Sequence, residues 1–314
     1  MTVYDAVTDR TAAGALMPED VSKAILTSVE AHSLALQSFT HVKMSRKQTR
    51  LPVLSSLPVA YFVNGDTGLK QATNMAWANK FLNAEVLAVI LPIPDEVADD
   101  ADYDIVAEST SAIATAIARK IDAAVLFGTD KPVTWGDAIV PEAILRNHVV
   151  VRGRNAVAAG GLAQDLSDLF ALVEEDGYDS DLLAFTTRYK GLLRGARDSL
   201  GRELSEVSPT NVYGTTPIYP ARGLWPVGLS VAEGVVGDST QALLGIRTDM
   251  QYKVLTEGVI SDDTGKVILN LAQQDAKALR ITFRCAFEVA NTIRFDNENA
   301  ATRYPFAVIT SPAV

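Results

Sequence analysis

Cysteine is nearly missing from this 314-residue chain, where Cys285 stands alone. One thiol cannot build a disulfide framework or a thiolate metal cluster. Its setting, TFRCAFEV, is that of a small buried hydrophobe rather than a nucleophile. Histidine is scarce as well, and His32, His41 and His148 lack the spacing of metal ligands. Positive charge is outweighed, with 28 Lys and Arg against 38 Asp and Glu and a net of −10. A protein that coats DNA must neutralise phosphates, so this balance argues against one. No apolar run approaches a membrane span, and MTVYDAVTDR does not open like a secretory leader. We therefore expect a soluble protein of a reducing compartment, without a membrane partner.

Catalytic signatures are missing too. The chain has no Gly-x-Ser-x-Gly, no His-Glu-x-x-His and no Cys-x-x-Cys. Asp262-Asp263-Thr264-Gly265 holds one Asp-Thr-Gly without a second copy, and aspartic-protease chemistry needs two carboxylates sharing a proton. Gly160-Gly161 reads as the turn into a helix. The expectation is no enzyme, no cofactor and no metal.

What remains is patterned structure, with 48% hydrophobic residues to build a core. Residues 1–17 read as an arm, and Pro18-Glu19-Asp20 opens an amphipathic helix striped by Val21, Ile25, Val29, Leu34 and Leu36. HVKMSRKQTR gathers Lys43, Arg46, Lys47 and Arg50, which suits a solvated face, an acidic neighbour or packaged nucleic acid. AYFVNGDTGLKQA, residues 60–72, superficially resembles a phosphate loop. Its glycines are only three apart, however, and Lys70 is followed by Gln71 rather than Ser or Thr. Asn64-Gly65 is instead a two-residue turn, flanked by the extended segments TRLPVLSSLPVAYFV and KFLNAEVLAVILPI. The excursion from Leu51 to Leu91 is too long for an ordinary loop, and a thin hairpin cannot bury its Tyr61, Phe62, Trp77 and Phe81. They pack on the chain's own body or on a neighbouring subunit.

Ile105, Ile113, Ile117, Ile121 and Val125 recur at helical spacing and predict a long helix over about 102–127, closed by Gly128. QDLSDLFALVEEDGY and RYKGLLRGARDSLGREL read as helices, the second interrupted by glycine. LLAFTT, ALLGIRTDMQYKVLTEGV and ALRITFRCAFEVANTIRF read as strands.

This order of elements resembles the tailed-bacteriophage major capsid proteins of the Hong Kong 97-type fold. The resemblance is carried by AAVLFGTDKP, LLRGARDSLGREL, VYGTTPIYP, GVVGDSTQALLGIRTDMQYKV and DAKALRITFRCAFEVANTIRF, and covers residues 18–310. It implies an α+β fold with an N-terminal arm and helix (1–40), an extended E-loop (41–95), a peripheral domain with a spine helix (96–136 and 275–314) and an axial domain (137–274). The implied function is a self-assembling icosahedral shell around double-stranded DNA, located in the virion and, during assembly, in the host cytoplasm. The implied partners are further copies in hexamers and pentamers, scaffold, portal and decoration proteins, and packaged DNA bound non-specifically. The E-loop contacts between neighbouring copies fall on Tyr61, Phe62, Asn64, Gly65, Lys70, Trp77 and Phe81, and the ionic contacts between them on Lys43, Arg46, Lys47 and Arg50. A soluble α/β enzyme or ligand-binding protein is the alternative.

One branch of that family welds its shell with lysine–asparagine isopeptide bonds promoted by a glutamate. Lys70 and Lys80 are the available amines. Glu288 and Asn291, three apart on one continuous strand, would face opposite ways, while Asn297, Glu298 and Asn299 lie in a polar turn. On this ground we expect a non-covalent shell.

Overall fold

The computed structural model describes residues 28–29, 32–63, 69–94, 105–197, 201–202, 204, 206–220, 224–225, 232–261 and 264–312. The expected arm, most of the helix opened by Pro18, the Asn64-Gly65 turn and Asp262-Asp263 lie outside them.

Two four-stranded sheets organise the chain. The first contains β1 (Thr40–Lys43), β4 (Glu85–Pro94), β8 (Ala242–Leu255) and β11 (Ala276–Val289), in the order β1-β8-β11-β4. Strand β11 runs antiparallel to both neighbours, and β1 runs parallel to β8. Along β11 the period-two alternation sends Ile281, Phe283, Cys285 and Phe287 inward. They meet α2 (Ile105–Phe127), which offers Ile113, Ala114, Ile117, Ala118, Ile121 and Val125 at helical spacing. Gly128 ends this helix at φ 73, the left-handed conformation that favours glycine.

The second sheet has the order β5 (Val149–Val151), β12 (Phe306–Thr310), β7 (Ala232–Gly237), β6 (Leu182–Phe185). One face packs with α3 (Ile139–Leu145) into the core it shares with α2. The other is covered by α4 (Gly161–Glu174) and α5 (Tyr189–Arg194). Burial on both faces accounts for the apolar run Phe306 to Ile309 of β12, which is buried throughout together with Thr310.

Between β1 and β4 stand β2 (Gln48–Ser56) and β3 (Ala76–Asn83), which pair only with each other. A smaller hairpin, β9 (Val259–Ser261) and β10 (Val267–Asn270), extends the far end of β8 and β11.

Three sequence expectations change. The excursion is shorter than 41–95, because EVLAVILPIP leaves the hairpin and pairs with β11 over ten positions. Leu87, Val89 and Leu91 pack on the core there, and buried Ala84 is the pivot between the two roles. The division at 137–274 changes as well: β8 joins the sheet of β11, while β12 joins that of β5 and β7. Finally, RYKGLLRGARDSLGREL is helical over Tyr189–Arg194, the helix is capped by Gly195, and no further helix appears among its described residues.

Candidate assembly surface at the hairpin

The β2–β3 ladder matches Arg50 with Phe81 and Leu54 with Trp77. Alternation along β3 gives its two faces different work. Trp77 and Phe81 point outward, 54% and 43% exposed, while Lys80 and Leu82 turn to the body. Beyond the ladder, residues 57–63 and 69–75 form no strand. The Tyr61 hydroxyl ties these two segments by donating to the Gln71 carbonyl at 2.6 Å. Phe62 is wholly exposed, Leu69 nearly so, and Val59 largely. Lys70 is exposed too, and Asn64 and Gly65 lie outside the described residues. A chain that leaves this much apolar surface in water has an unmet demand for burial.

The hairpin is fixed at its base. Leu82 and Ala84 pack with Met44 and Ala286. Asn83 donates to the Thr134 carbonyl at 2.8 Å, and the Lys47 carbonyl accepts from the Ala84 amide. Lys80 Nζ lies 2.7 Å from Glu288 Oε1. The Glu288 carboxylate is seated against Gly136, where an added Cβ would come within 2.4 Å of Oε2. Only glycine leaves room for that carboxylate.

Lys43, Arg46, Lys47 and Arg50 are all exposed around the same base. Lys47 lies 3.9 Å from Glu85 but remains 69% exposed, so that pair contributes little.

Glu288 and Asn291 do not face opposite ways. Strand β11 ends at Val289 and Asn291 has φ 45, so the chain turns and both residues line one hollow of about 90 Å³ with Lys80 and Tyr304. Asn291 Oδ1 accepts from the Tyr178 hydroxyl and from Arg303 Nε, and its Nδ2 donates to the Arg303 carbonyl. Asn297 Nδ2 donates to Asp176, while Glu298 and Asn299 are exposed.

Burial pushes the Cys285 thiol up to about 12, so it holds its proton. Burial also raises Tyr304, whose hydroxyl has no hydrogen-bond partner. Among the described residues no group of three His, Cys, Asp or Glu could hold a metal ion. No helix among them is long and apolar enough to cross a membrane.

Sequence reasoning missed Asp122. It lies within α2, 1% exposed, and accepts from the Ser33 hydroxyl and from the Leu34 and Ala35 amides at 2.7–3.0 Å. The carboxylate thereby holds the start of α1 (Leu34–Ser38) against the long helix. An acid inside an otherwise apolar stripe was the available signal.

A family model described as the Phage capsid family matches residues 13–295. A solved chain from Microbacterium phage Oxtober96 is 33% identical, with a TM-score of 0.78 over 89% of this chain and 91% of that one. One from Mycobacterium phage Bobi is 30% identical, with a TM-score of 0.79 over 98% and 99%. A chain from the capsid of a native GTA particle, 15% identical, shares the fold at a TM-score of 0.65 over 91% of each. Among curated proteins none matches.

Proposed function

Since the chain belongs to the phage capsid family, is a major capsid protein and has the Hong Kong 97-type α+β fold, we propose that its projecting hairpin is what one copy lays over the next. The carrying observation is the apolar row of Val59, Phe62, Leu69, Trp77 and Phe81, exposed on a hairpin whose two strands pair only with each other. Tyr61, Asn64, Gly65 and Lys70 complete the contact. Repeated around closed rings, each modest contact gains from multivalency. Lys43, Arg46, Lys47 and Arg50 at the hairpin base meet an acidic neighbour.

The same reading gives the two sheets separate places. The first sheet and α2 form the peripheral layer of a hexamer or pentamer, and the second sheet forms the axial layer. As a structural protein of the virion, the chain helps to enclose double-stranded DNA, and its net charge of −10 keeps the wall from binding that DNA tightly. Assembly takes place in the host cytoplasm, with scaffold, portal and decoration proteins as the further partners of such a shell. No observation favours a soluble enzyme.

Sedimentation and electron microscopy of Phe62→Asp/Trp77→Asp test the reading. We expect folded protein, by circular dichroism, that no longer forms particles. Particles at the wild-type yield would contradict it.

A further inference from the structure

We propose that the second sheet layer is an electrostatic dipole that docks head to tail, the basic end of one copy against the acidic end of the next. The inference rests on the chain's being a shell protein. Strand register places Val151, Phe185, Ala232 and Thr310 at one end of this sheet, and Val149, Leu182, Gly237 and Phe306 at the other. The ends lie about 15–20 Å apart, for strands of four to six residues.

From the first end emerge two cation-bearing segments. One carries Arg152 and Arg154, the other Arg188, Lys190 and Arg194. Exposed Glu206 lies on this side, beside Tyr213, and three further carboxylates there are already engaged. Glu233 pairs with Arg152 at 2.7 Å, Asp165 accepts from the Gly153 and Asn155 amides, and Asp168 accepts from Asn155 and Gln164. Tyr189 stacks on Phe185 and pins α5 to this end, and Lys190 lies over the Tyr219 ring. Arg154, Arg188 and Arg194 stay exposed, with no carboxylate partner among the described residues.

The second end is the reverse. Glu174, Glu175, Asp179, Asp296 and Glu298 are all exposed there, as is Asp181, which accepts from the Ser239 amide and hydroxyl. Of the cations beside them, Arg146 binds Glu142, Arg303 is buried, and Arg294, its side chain 40% exposed, lies near Asp238 and over Tyr178. Each end also carries exposed apolar surface, Val157 at the basic one and Phe295 at the acidic one, 64% and 71% exposed.

Helix α4 spans the two ends and strengthens the polarity. Its N-terminus, the positive end of the helix dipole, lies at the basic side. It has no acid in its first turn and no base in its last, and Glu174 and Glu175 sit at its C-terminus. That arrangement adds to the dipole and is locally unfavourable to the helix, so helix stability does not account for it. A patch of one sign meeting its complement on an identical copy makes a heterologous contact, the kind that closes rings.

Three exposed-site variants decide the matter, each first checked for wild-type melting. Arg188→Glu/Arg194→Glu is expected to lower particle yield about tenfold or more, and Glu175→Lys/Asp179→Lys to do the same. Combining all four reversals restores complementarity, so that variant should assemble with itself and be excluded from wild-type particles. Wild-type yield from either double variant, or no recovery in the fourfold one, would overturn the proposal. So would normal empty shells of Arg188→Glu/Arg194→Glu that fail only to retain DNA, which would assign the basic end to phosphates. Absence of particles from the unaltered chain would instead count against the shell reading itself.

Discussion

Asp122 puts a carboxylate where the surrounding stripe is alanine, isoleucine and valine, and its three donors explain how that is tolerated. Loss of hydration raises its pKa to about 6, outweighing the hydrogen bonds from Ala35, Ser33 and Leu34 that favour the ion. The folded state therefore holds a proton that the unfolded chain has released above its ordinary value of 3.8. Asp122's contribution to stability is full below that value and is lost as pH rises through about 6, on the order of 3 kcal/mol in total. Asp122→Asn should remove that slope, while setting an amide N–H against the Leu34 N–H at a cost of about 1–3 kcal/mol. Urea unfolding of the unassembled protein between pH 4 and 7 measures both effects. An unchanged slope in the variant would mean that another group titrates there.

Among the elements, the long helix and the inward face of β11 were legible in the sequence because each keeps one period over many residues. The break between β3 and β4 was not. Only Ala84 separates them, and both read as extended apolar segments, so what divides them is the partner each finds. The place of β12 was hidden for a similar reason: a five-residue run buried on both faces fits either sheet until its register is known. The side-chain relation of Glu288 to Asn291 failed on one backbone angle, φ 45 at Asn291. The cations at the hairpin base were legible as a cluster, and all four are exposed there. Arg46→Glu/Lys47→Glu should impair assembly, and more strongly at about 50 mM salt than at about 500 mM, because screening lengths shrink roughly threefold between them. Assembly indifferent to the change at both salts would leave those side chains as a solvated face.

For the assembled shell, the hollow holding Lys80, Glu288 and Asn291 raises the question of covalent closure, since opposite faces no longer separate the groups. Lys80 is paired with Glu288 within its own chain and its side chain remains 42% exposed. The Asn291 amide is itself engaged on both sides, its oxygen by Tyr178 and Arg303 Nε and its nitrogen by the Arg303 carbonyl, so it is not free to meet an amine. We therefore expect a non-covalent shell: particles boiled in detergent should run as one band near 33.6 kDa. A ladder of multimers would refute it.

The claim underlying the whole account is that the hairpin's outer face is buried on a neighbouring copy. Residues 57–63 and 69–75 have no ladder of their own, so in the unassembled protein their amides should exchange with little protection. Hydrogen exchange, followed by mass spectrometry on unassembled protein and on intact particles, reads this directly. The account predicts protection in the particle that rises about a hundredfold or more over these segments and over the Trp77 to Phe81 stretch of β3. Equal exchange in the two states would contradict it.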